Sequence, residues 1–226
     1  AQAAGMYYII YLAIVLFIST LVRISDGSSG SLGGMEMSTT IFLFVMGLVT
    51  FRETFNMMLQ NGVSRRTLFV SRTLAIAILC VCMGAIDMTV TEISRAFAGT
   101  DARMSVYSFY DLAYPQALAA MNGFGRWMTS WALMATQSIM VMCLGYGITL
   151  AYYRMNRFAK WVVSFGVPIL LSLVLTRINI QALGRFLSAI LGIGRQLPPI
   201  AMLTFLVAAA IFSGCSWLLL RRAPVR

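Results

Sequence analysis

Residues 50–72, Thr-Phe-Arg-Glu-Thr-Phe-Asn-Met-Met-Leu-Gln-Asn-Gly-Val-Ser-Arg-Arg-Thr-Leu-Phe-Val-Ser-Arg, form a basic insert between two strongly apolar runs. Read as a helix over about 51–62, the insert is amphipathic. Its apolar side carries Phe51, Phe55, Met58 and Leu59, and its polar side carries Arg52, Glu53, Asn56 and Gln60. An amphipathic, charged helix between two apolar runs is typical of a membrane protein, with the insert lying outside the bilayer.

The ends of this insert carry helix signals. Thr50 and Glu53 have capping-box spacing, which predicts that a helix begins there. Gly62 is suited to the left-handed conformation that ends a helix. Ser64 is a candidate N-cap for the helix that follows.

Composition places the whole chain in the membrane class. Of the 226 residues, 60% are apolar and 11% are charged, and the mean hydropathy is +0.84. Because a span needs ~20 helical residues, the length allows about six spans with short connections. We therefore expect an all-α integral membrane protein in which residues 1–226 form one transmembrane domain. The expected spans are about 4–22, 37–51, 73–91, 127–152, 161–176 and 200–220.

A seventh apolar segment covers 178–194. Arg185 at its centre would cost ~2.5–3.5 kcal/mol on insertion scales. We read the segment as an interfacial or re-entrant helix rather than a span.

The distribution of basic residues predicts the orientation of the chain in the membrane. In a six-span arrangement, ten of the seventeen basic residues fall on one side, which should be cytoplasmic together with both termini. They are Arg52, Arg65, Arg66, Arg72, Arg154, Arg157, Lys160, Arg221, Arg222 and Arg226. The net charge of +10 is accounted for by this asymmetry, and the sequence offers no soluble domain for binding nucleic acid.

The longest external connection is 93–126, which is rich in aromatic residues. They include Tyr107, Phe109, Tyr110 and Tyr114. We expect them to form an aromatic belt at the outer membrane interface or a contact with a partner chain, the belt being favoured.

Catalytic motifs are lacking. The chain has no His, which removes Ser-His and Cys-His nucleophile pairs and His-ligated zinc. It has no G-x-x-x-x-G-K-[ST] loop, so any ATP must be bound by another subunit. Cys80, Cys82, Cys143 and Cys215 all fall within spans and are expected to be apolar packing residues, with no metal bound.

Three polar residues within spans are candidates for a substrate path or for helix packing. Asp87 lies near the external end of the third span, where it can serve a function, reach water or pair with Arg95 or Arg126. Gln137 and Ser138 lie inside the fourth span, where interhelical hydrogen bonding is favoured over lining a path. Two glycine pairs, in 145–147 and 192–194, permit either a close helix approach or a local break.

The insert and the following Asn61-Gly-Val-Ser-Arg-Arg-Thr-Leu-Phe69 resemble the segment after the second span in membrane subunits of bacterial type-two ATP-binding-cassette (ABC) transporters. The six-span layout, the basic turn over 152–160 and the ending Leu218-Leu-Leu-Arg-Arg-Ala-Pro-Val225 are also similar to that family. The chain contains no fused nucleotide-binding domain.

The resemblance implies a permease subunit in the bacterial inner membrane, with export expected rather than import. It would pair with a second permease subunit as a homodimer or heterodimer and be driven by separate P-loop ATPase subunits that bind ATP and Mg, while this chain binds no cofactor. The residues expected to couple to the ATPase are Arg52, Glu53, Phe55, Met58, Leu59, Gly62, Arg65 and Arg66, with Arg154 and Arg157 as a secondary cytoplasmic contact.

Two other functions remain open from the sequence. One is an ion-coupled secondary transporter or channel, which requires an ionisable network within the membrane. The other is a noncatalytic membrane assembly or immunity subunit, which would share every feature above without moving a substrate.

Overall fold

The computed structural model describes residues 2–24, 30–34, 36–62, 64–98, 104–177 and 180–221. The described part is almost entirely helical. The helices are α1 (Gln2–Ile24), α2 (Glu36–Gln60), α3 (Arg65–Ala98), α4 (Phe109–Ala113), α5 (Pro115–Ala119), α6 (Gly123–Arg154), α7 (Arg157–Arg177), α8 (Ile180–Ile190) and α9 (Pro198–Arg221). Two short strands are β1 (Gly30–Gly33) and β2 (Met104–Tyr107).

Three helices are long and apolar enough to cross a membrane, judged by length and composition over the described residues: Arg65–Ala96 in α3, Gly123–Arg154 in α6 and Pro198–Arg221 in α9. Shorter apolar helical stretches cover Ala3–Phe17, Glu36–Val49 and Phe158–Val174. Each of the six segments predicted to span is therefore helical, and the chain has the helical membrane character expected from its composition.

The insert that we expected to form a separate helix over 51–62 is instead the end of α2. This helix runs without interruption from Glu36 to Gln60. The capping-box prediction at Thr50 and Glu53 is therefore wrong, since no helix begins there. The physical reason is that 48–60 contains neither Gly nor Pro, so nothing in the sequence breaks the helix as it leaves the apolar stretch.

The predicted turn after α2 is confirmed. Gly62 has φ +70°, in the left-handed region that favours glycine. Ser64 then caps α3, because its Oγ accepts a hydrogen bond from the backbone N–H of Thr67 at 3.2 Å. A four-residue connection thus joins α2 directly to α3.

Helix α6 lies at the centre of the molecule and contacts α2, α3 and α9. Its approach to α2 is close because two glycines face the partner backbone. A Cβ added at Gly145 would lie 2.7 Å from the Phe44 carbonyl oxygen, and one added at Gly47 would lie 2.7 Å from that of Met142. Thr149 Oγ1 also donates to Leu48 O at 2.8 Å. The pair 145–147 therefore serves close packing.

The two strands form a small parallel sheet, which the sequence did not predict. Gly30 pairs with Met104 and Gly33 with Tyr107. This pairing joins the connection after α1 to the connection after α3. It brings the segments that begin α2 and α4 to the same end of the helices.

The segment that carries α4 and α5 folds back onto the long helices. Tyr110 and Tyr114 are each 3% exposed and belong to one cluster with Leu133 of α6 and Ala201 of α9. Tyr114 Oη donates to Leu191 O at 2.6 Å. The expectation that these two tyrosines form an interfacial belt or contact a partner is therefore wrong, because each ring has an apolar site within the chain.

Helix α8 is too short to span a bilayer, as expected for an interfacial or re-entrant segment, since it has 11 residues and a span needs ~17–25. It is followed by Gly192 with φ +65°. The second glycine pair therefore marks a local break, in contrast to the first.

Candidate functional site

The basic segments predicted to share one side meet at one end of the helices. Arg65 Nη1 donates to Arg221 O at 2.8 Å, at the C-terminal end of α9. One turn further along α3, Leu68 packs with Leu150 and Leu220, and Tyr153 contacts the same cluster. We call the region formed by residues 57–68, 150–156 and 217–221 the basic end.

The coupling residues predicted from the sequence have a defined backbone at this end. Arg52, Glu53, Phe55, Met58 and Leu59 all belong to the helical backbone of α2, and their side chains lie outside the described part. Met57 in the same turn is 58% exposed. Arg66 and Arg154 are exposed, Arg65 is half-buried, and the side chain of Arg157 is not described.

A further basic residue enters the helix interface. The guanidinium of Arg72 lies 6.0 Å from the centroid of the Tyr146 ring, on the neighbouring α6. Its Nε and Nη2 atoms are buried and have no hydrogen-bond partner among the described residues. A cation over an aromatic face is stabilised by the ring quadrupole, which explains how this arginine is accommodated two turns into α3.

Asp87 is fully buried, with 0% of its surface exposed. Tyr8 Oη lies 3.1 Å from its Oδ1, and Thr39 forms a further side-chain hydrogen bond with the carboxylate. The proposed pairings with Arg95 and Arg126 are wrong. Because Asp87 is fully buried, its carboxylate does not reach water at the membrane boundary either.

Both of those arginines bind Asp111 instead. Arg95 Nη2 lies 2.6 Å from Asp111 Oδ2, and Arg126 Nη2 lies 2.8 Å from Oδ1. Arg95 also pairs with Glu92. Asp111 completes a capping box at the start of α4 by accepting from the N–H of Ser108 at 2.8 Å. One carboxylate thereby joins α3, α4 and α6.

A second buried carboxylate, Glu36, was missed by the sequence reasoning, which placed it in an external connection. It is the first residue of α2, it is 2% exposed, and its Oε2 accepts from the N–H of Phe109 at 3.3 Å. The sequence feature that could have identified Glu36 is its position in the first turn of an apolar helix, where a carboxylate complements the helix dipole.

Tyrosines of α1 complete this polar region. Tyr7 Oη lies 2.8 Å from Thr39 Oγ1, and Tyr8 Oη donates to Met83 O at 2.8 Å. Tyr11 lines a small pocket together with Glu36 and Thr91. We call this region, formed by Tyr7, Tyr8, Tyr11, Glu36, Thr39, Asp87 and Thr91, the carboxylate cluster.

Gln137 and Ser138 do not join that cluster. Gln137 Oε1 accepts from Tyr110 Oη at 2.8 Å, which is a hydrogen bond between helices of the kind expected. Ser138 is 0% exposed and its Oγ has no partner, so it is packed within the interface. Burial raises the pKa of Tyr110 well above its ordinary value, and nearby Glu36 and Asp87 raise it further.

All four cysteines are free thiols. Cys80 and Cys143 are buried in one core cluster, as expected for packing residues. Cys82 and Cys215 are exposed, so the packing prediction is wrong for these two. Cys80 and Cys82 lie on different faces of α3 because they are two residues apart in a helix.

Comparison with protein-family models, with curated proteins and with solved structures finds no match to this chain.

Proposed function

We propose that this chain is the transmembrane subunit of an ATP-driven ABC transporter, with six spans and both termini in the bacterial cytoplasm. Export is the proposed direction, and two such subunits would form the substrate path. Separate ATPase subunits would supply ATP hydrolysis. The sequence resemblance of 61–69 and the charge asymmetry support this assignment.

The structural observation that carries the proposal is the short connection between α2 and α3. The end of α2 carries the insert, the turn at Gly62 is tight, and the capped α3 then runs for 34 residues. A force applied to 52–60 therefore acts on a continuous helix rather than on a flexible loop. The bond from Arg65 to Arg221 O adds α9 to the same unit.

The basic end also has the composition expected of a docking surface. It combines the insert with Arg65 and Arg66 and with the exposed Arg154. Positive charge at one end of the helices favours the cytoplasmic side and leaves this surface accessible to a soluble ATPase. We assign 52–62 as the main ATPase contact and 154–160 as a secondary contact.

The experiment uses two substitutions of the same kind on one helix turn. Positions 55 and 57 lie about 200° apart around a helix, so Phe55→Asp alters the predicted apolar side and Met57→Asp alters the opposite side. We expect Phe55→Asp to reduce transport and substrate-stimulated ATPase activity of the reconstituted complex. Met57→Asp should leave both near the unsubstituted level, with both variants inserted equally.

The assignment fails if no P-loop ATPase copurifies with the chain, or if Phe55→Asp and Met57→Asp retain the same stimulated activity. Either result removes the docking role of the insert. Equal membrane insertion, measured by protease accessibility of both termini, shows that a loss of activity does not arise from misfolding.

A second candidate function is ion-coupled transport by this chain alone, and the carboxylate cluster favours it. The sequence places Asp87 within a predicted span, and the structure adds the buried Glu36 close by. Proton- or sodium-dependent flux in vesicles that contain the chain without an ATPase would support this function over the first.

A further inference from the structure

A small pocket lies where α1, α2, α3 and β2 meet. Its polar lining consists of Tyr11, Glu36, Thr91 and Ser94, with Tyr107 at the β2 side. It has room for about one water-sized particle. The lining therefore offers one carboxylate and several hydroxyl oxygens to a single small guest.

Within the part of the chain that the structure describes, one buried polar group at this pocket lacks a hydrogen-bond partner. Tyr11 is 5% exposed, and its Oη has no hydrogen-bond partner although the residue lines the pocket. One helical turn before Thr91, Asp87 is fully buried and is hydrogen-bonded by Tyr8 and Thr39. Buried polar groups in folded proteins are normally satisfied, so an unpaired oxygen beside a pocket indicates a missing ligand or water.

Among the described residues, the side chains that line the pocket include one carboxylate and no cation. Around the pocket, carboxylates come from α2 and α3, through Glu36 and Asp87, and phenols come from Tyr7, Tyr8 and Tyr11 of α1 and from Tyr107 of β2. The nearest described cation along the chain is Arg95. Its guanidinium is already engaged by Glu92, Asp111 and the carbonyl of Val106.

Buried carboxylates without a cationic side chain require compensation, because an unpaired charge in an apolar environment is very costly. Hard oxygen ligands suit a hard cation. The lining supplies a single carboxylate, from Glu36, and its charge balances one positive charge. The small volume favours an ion that has shed most of its hydration shell.

We propose that this pocket binds a monovalent cation of the size of Na⁺, held by the carboxylate of Glu36 and the hydroxyl oxygens of Tyr11 and Thr91. Asp87 stabilises the cation from the adjacent turn. Ser94 and Tyr107 belong to segments near the predicted external side, so the ion would enter from there. The site does not depend on the ABC assignment, although it would supply an ion-binding step to the second candidate function.

The experiment measures equilibrium binding of ²²Na⁺ to the purified full chain in detergent, at constant ionic strength with choline chloride. We expect saturable binding of one ion per chain. Tyr11→Phe removes one oxygen ligand and keeps the ring, and should weaken binding about tenfold, while Glu36→Gln should abolish it. Glu92→Gln is the matched control, because this carboxylate lies on α3 near the pocket but does not line it.

Folding is followed in the same samples by thermal unfolding. The unsubstituted chain should be stabilised by Na⁺ relative to choline, because a ligand that binds only the folded state raises its stability. In choline, the melting temperature of Tyr11→Phe should be close to that of the unsubstituted chain. Addition of Na⁺ should raise its melting temperature by less than it raises that of the unsubstituted chain. This comparison separates loss of the site from loss of the fold.

Absence of saturable ²²Na⁺ binding up to about 100 mM would overturn the proposal, since weaker binding would be negligible at ordinary salt concentrations. Equal binding by Glu36→Gln and Glu92→Gln would also overturn it. The carboxylates would then be neutralised by protons and the pocket filled by water. Binding is measured without flux or ATPase, so neither outcome bears on the ABC assignment.

Discussion

The contact between α2 and α6 predicts a strong effect from adding one methyl group. In Gly145→Ala, the new Cβ would lie 2.7 Å from the backbone oxygen of Phe44 and 3.4 Å from the backbone of Gly47 and Leu48. The neighbouring atoms belong to the backbone of a helix, so no side-chain rotation can relieve the overlap. The two helices must separate by several tenths of an ångström.

The expected cost follows from overpacking in a closely packed interface, which is ~1–3 kcal/mol. At ~2–4 °C per kcal/mol for a chain of this size, the melting temperature should fall by about 2–12 °C. The hydrogen bond from Thr149 to Leu48 O lies one turn away and should lengthen. We therefore expect the fall in melting temperature to lie in the upper part of this range.

The assay is thermal unfolding of the purified chain in detergent, followed by circular dichroism. The matched control is Gly214→Ala, since a Cβ at this position meets nothing within 4 Å. Alanine has the higher helix propensity, so the control should be neutral or slightly stabilised. If Gly145→Ala melts at the same temperature as Gly214→Ala, the close packing of α2 on α6 is refuted.

Three further predictions concern the connections around the helices. Asp111→Asn should destabilise the chain by about 1.5–3 kcal/mol, the range for hydrogen bonds to charged groups, because the side chains of Asp111 and Arg126 are 13% and 32% exposed. Thermal unfolding should show this loss, whereas Glu92→Gln should change little. Ser64→Ala should remove about 1 kcal/mol from the first turn of α3, so hydrogen exchange of its first amides should accelerate about fivefold, and unchanged exchange would contradict the cap. The raised pKa of Tyr110 predicts a loss of stability above about pH 10, because the unfolded phenol releases its proton there while the folded one keeps it. Titration of unfolding between pH 9 and 11 should show a shallower decline for Tyr110→Phe than for the unsubstituted chain.

The positions of the long helices follow from local sequence, because hydrophobicity and helix-ending residues act over one or two turns. The predicted span 127–152 lies inside Gly123–Arg154, and 200–220 lies inside Pro198–Arg221. Gly62 and Ser64 likewise act on their own neighbours. The capping-box prediction at Thr50 failed for a related reason, since a cap requires a preceding break and α2 has none there.

Burial of polar groups in the carboxylate cluster could not be predicted in the same way. Glu36 accepts a hydrogen bond from the N–H of Phe109 and lines one pocket with Tyr11, and both partners come from distant parts of the chain. Asp111 captures both arginines that were considered for Asp87 because α4 folds back between α3 and α6. These contacts depend on tertiary folding and leave no periodic signal in the sequence.

Helix α3 connects the two regions to which we assign functions. Arg65 lies at the basic end and Asp87 in the carboxylate cluster, and the 22 residue steps from one to the other span ~33 Å of one helix. The intervening Gly84 is packed against Met134 of α6, which opposes bending there. If α3 moves as one continuous helix, displacement of the basic end by an ATPase would shift Asp87 against Tyr8 of α1. If binding of the ATPase changes the affinity of this chain for Na⁺ by some factor, thermodynamic linkage requires that Na⁺ changes the affinity for the ATPase by the same factor.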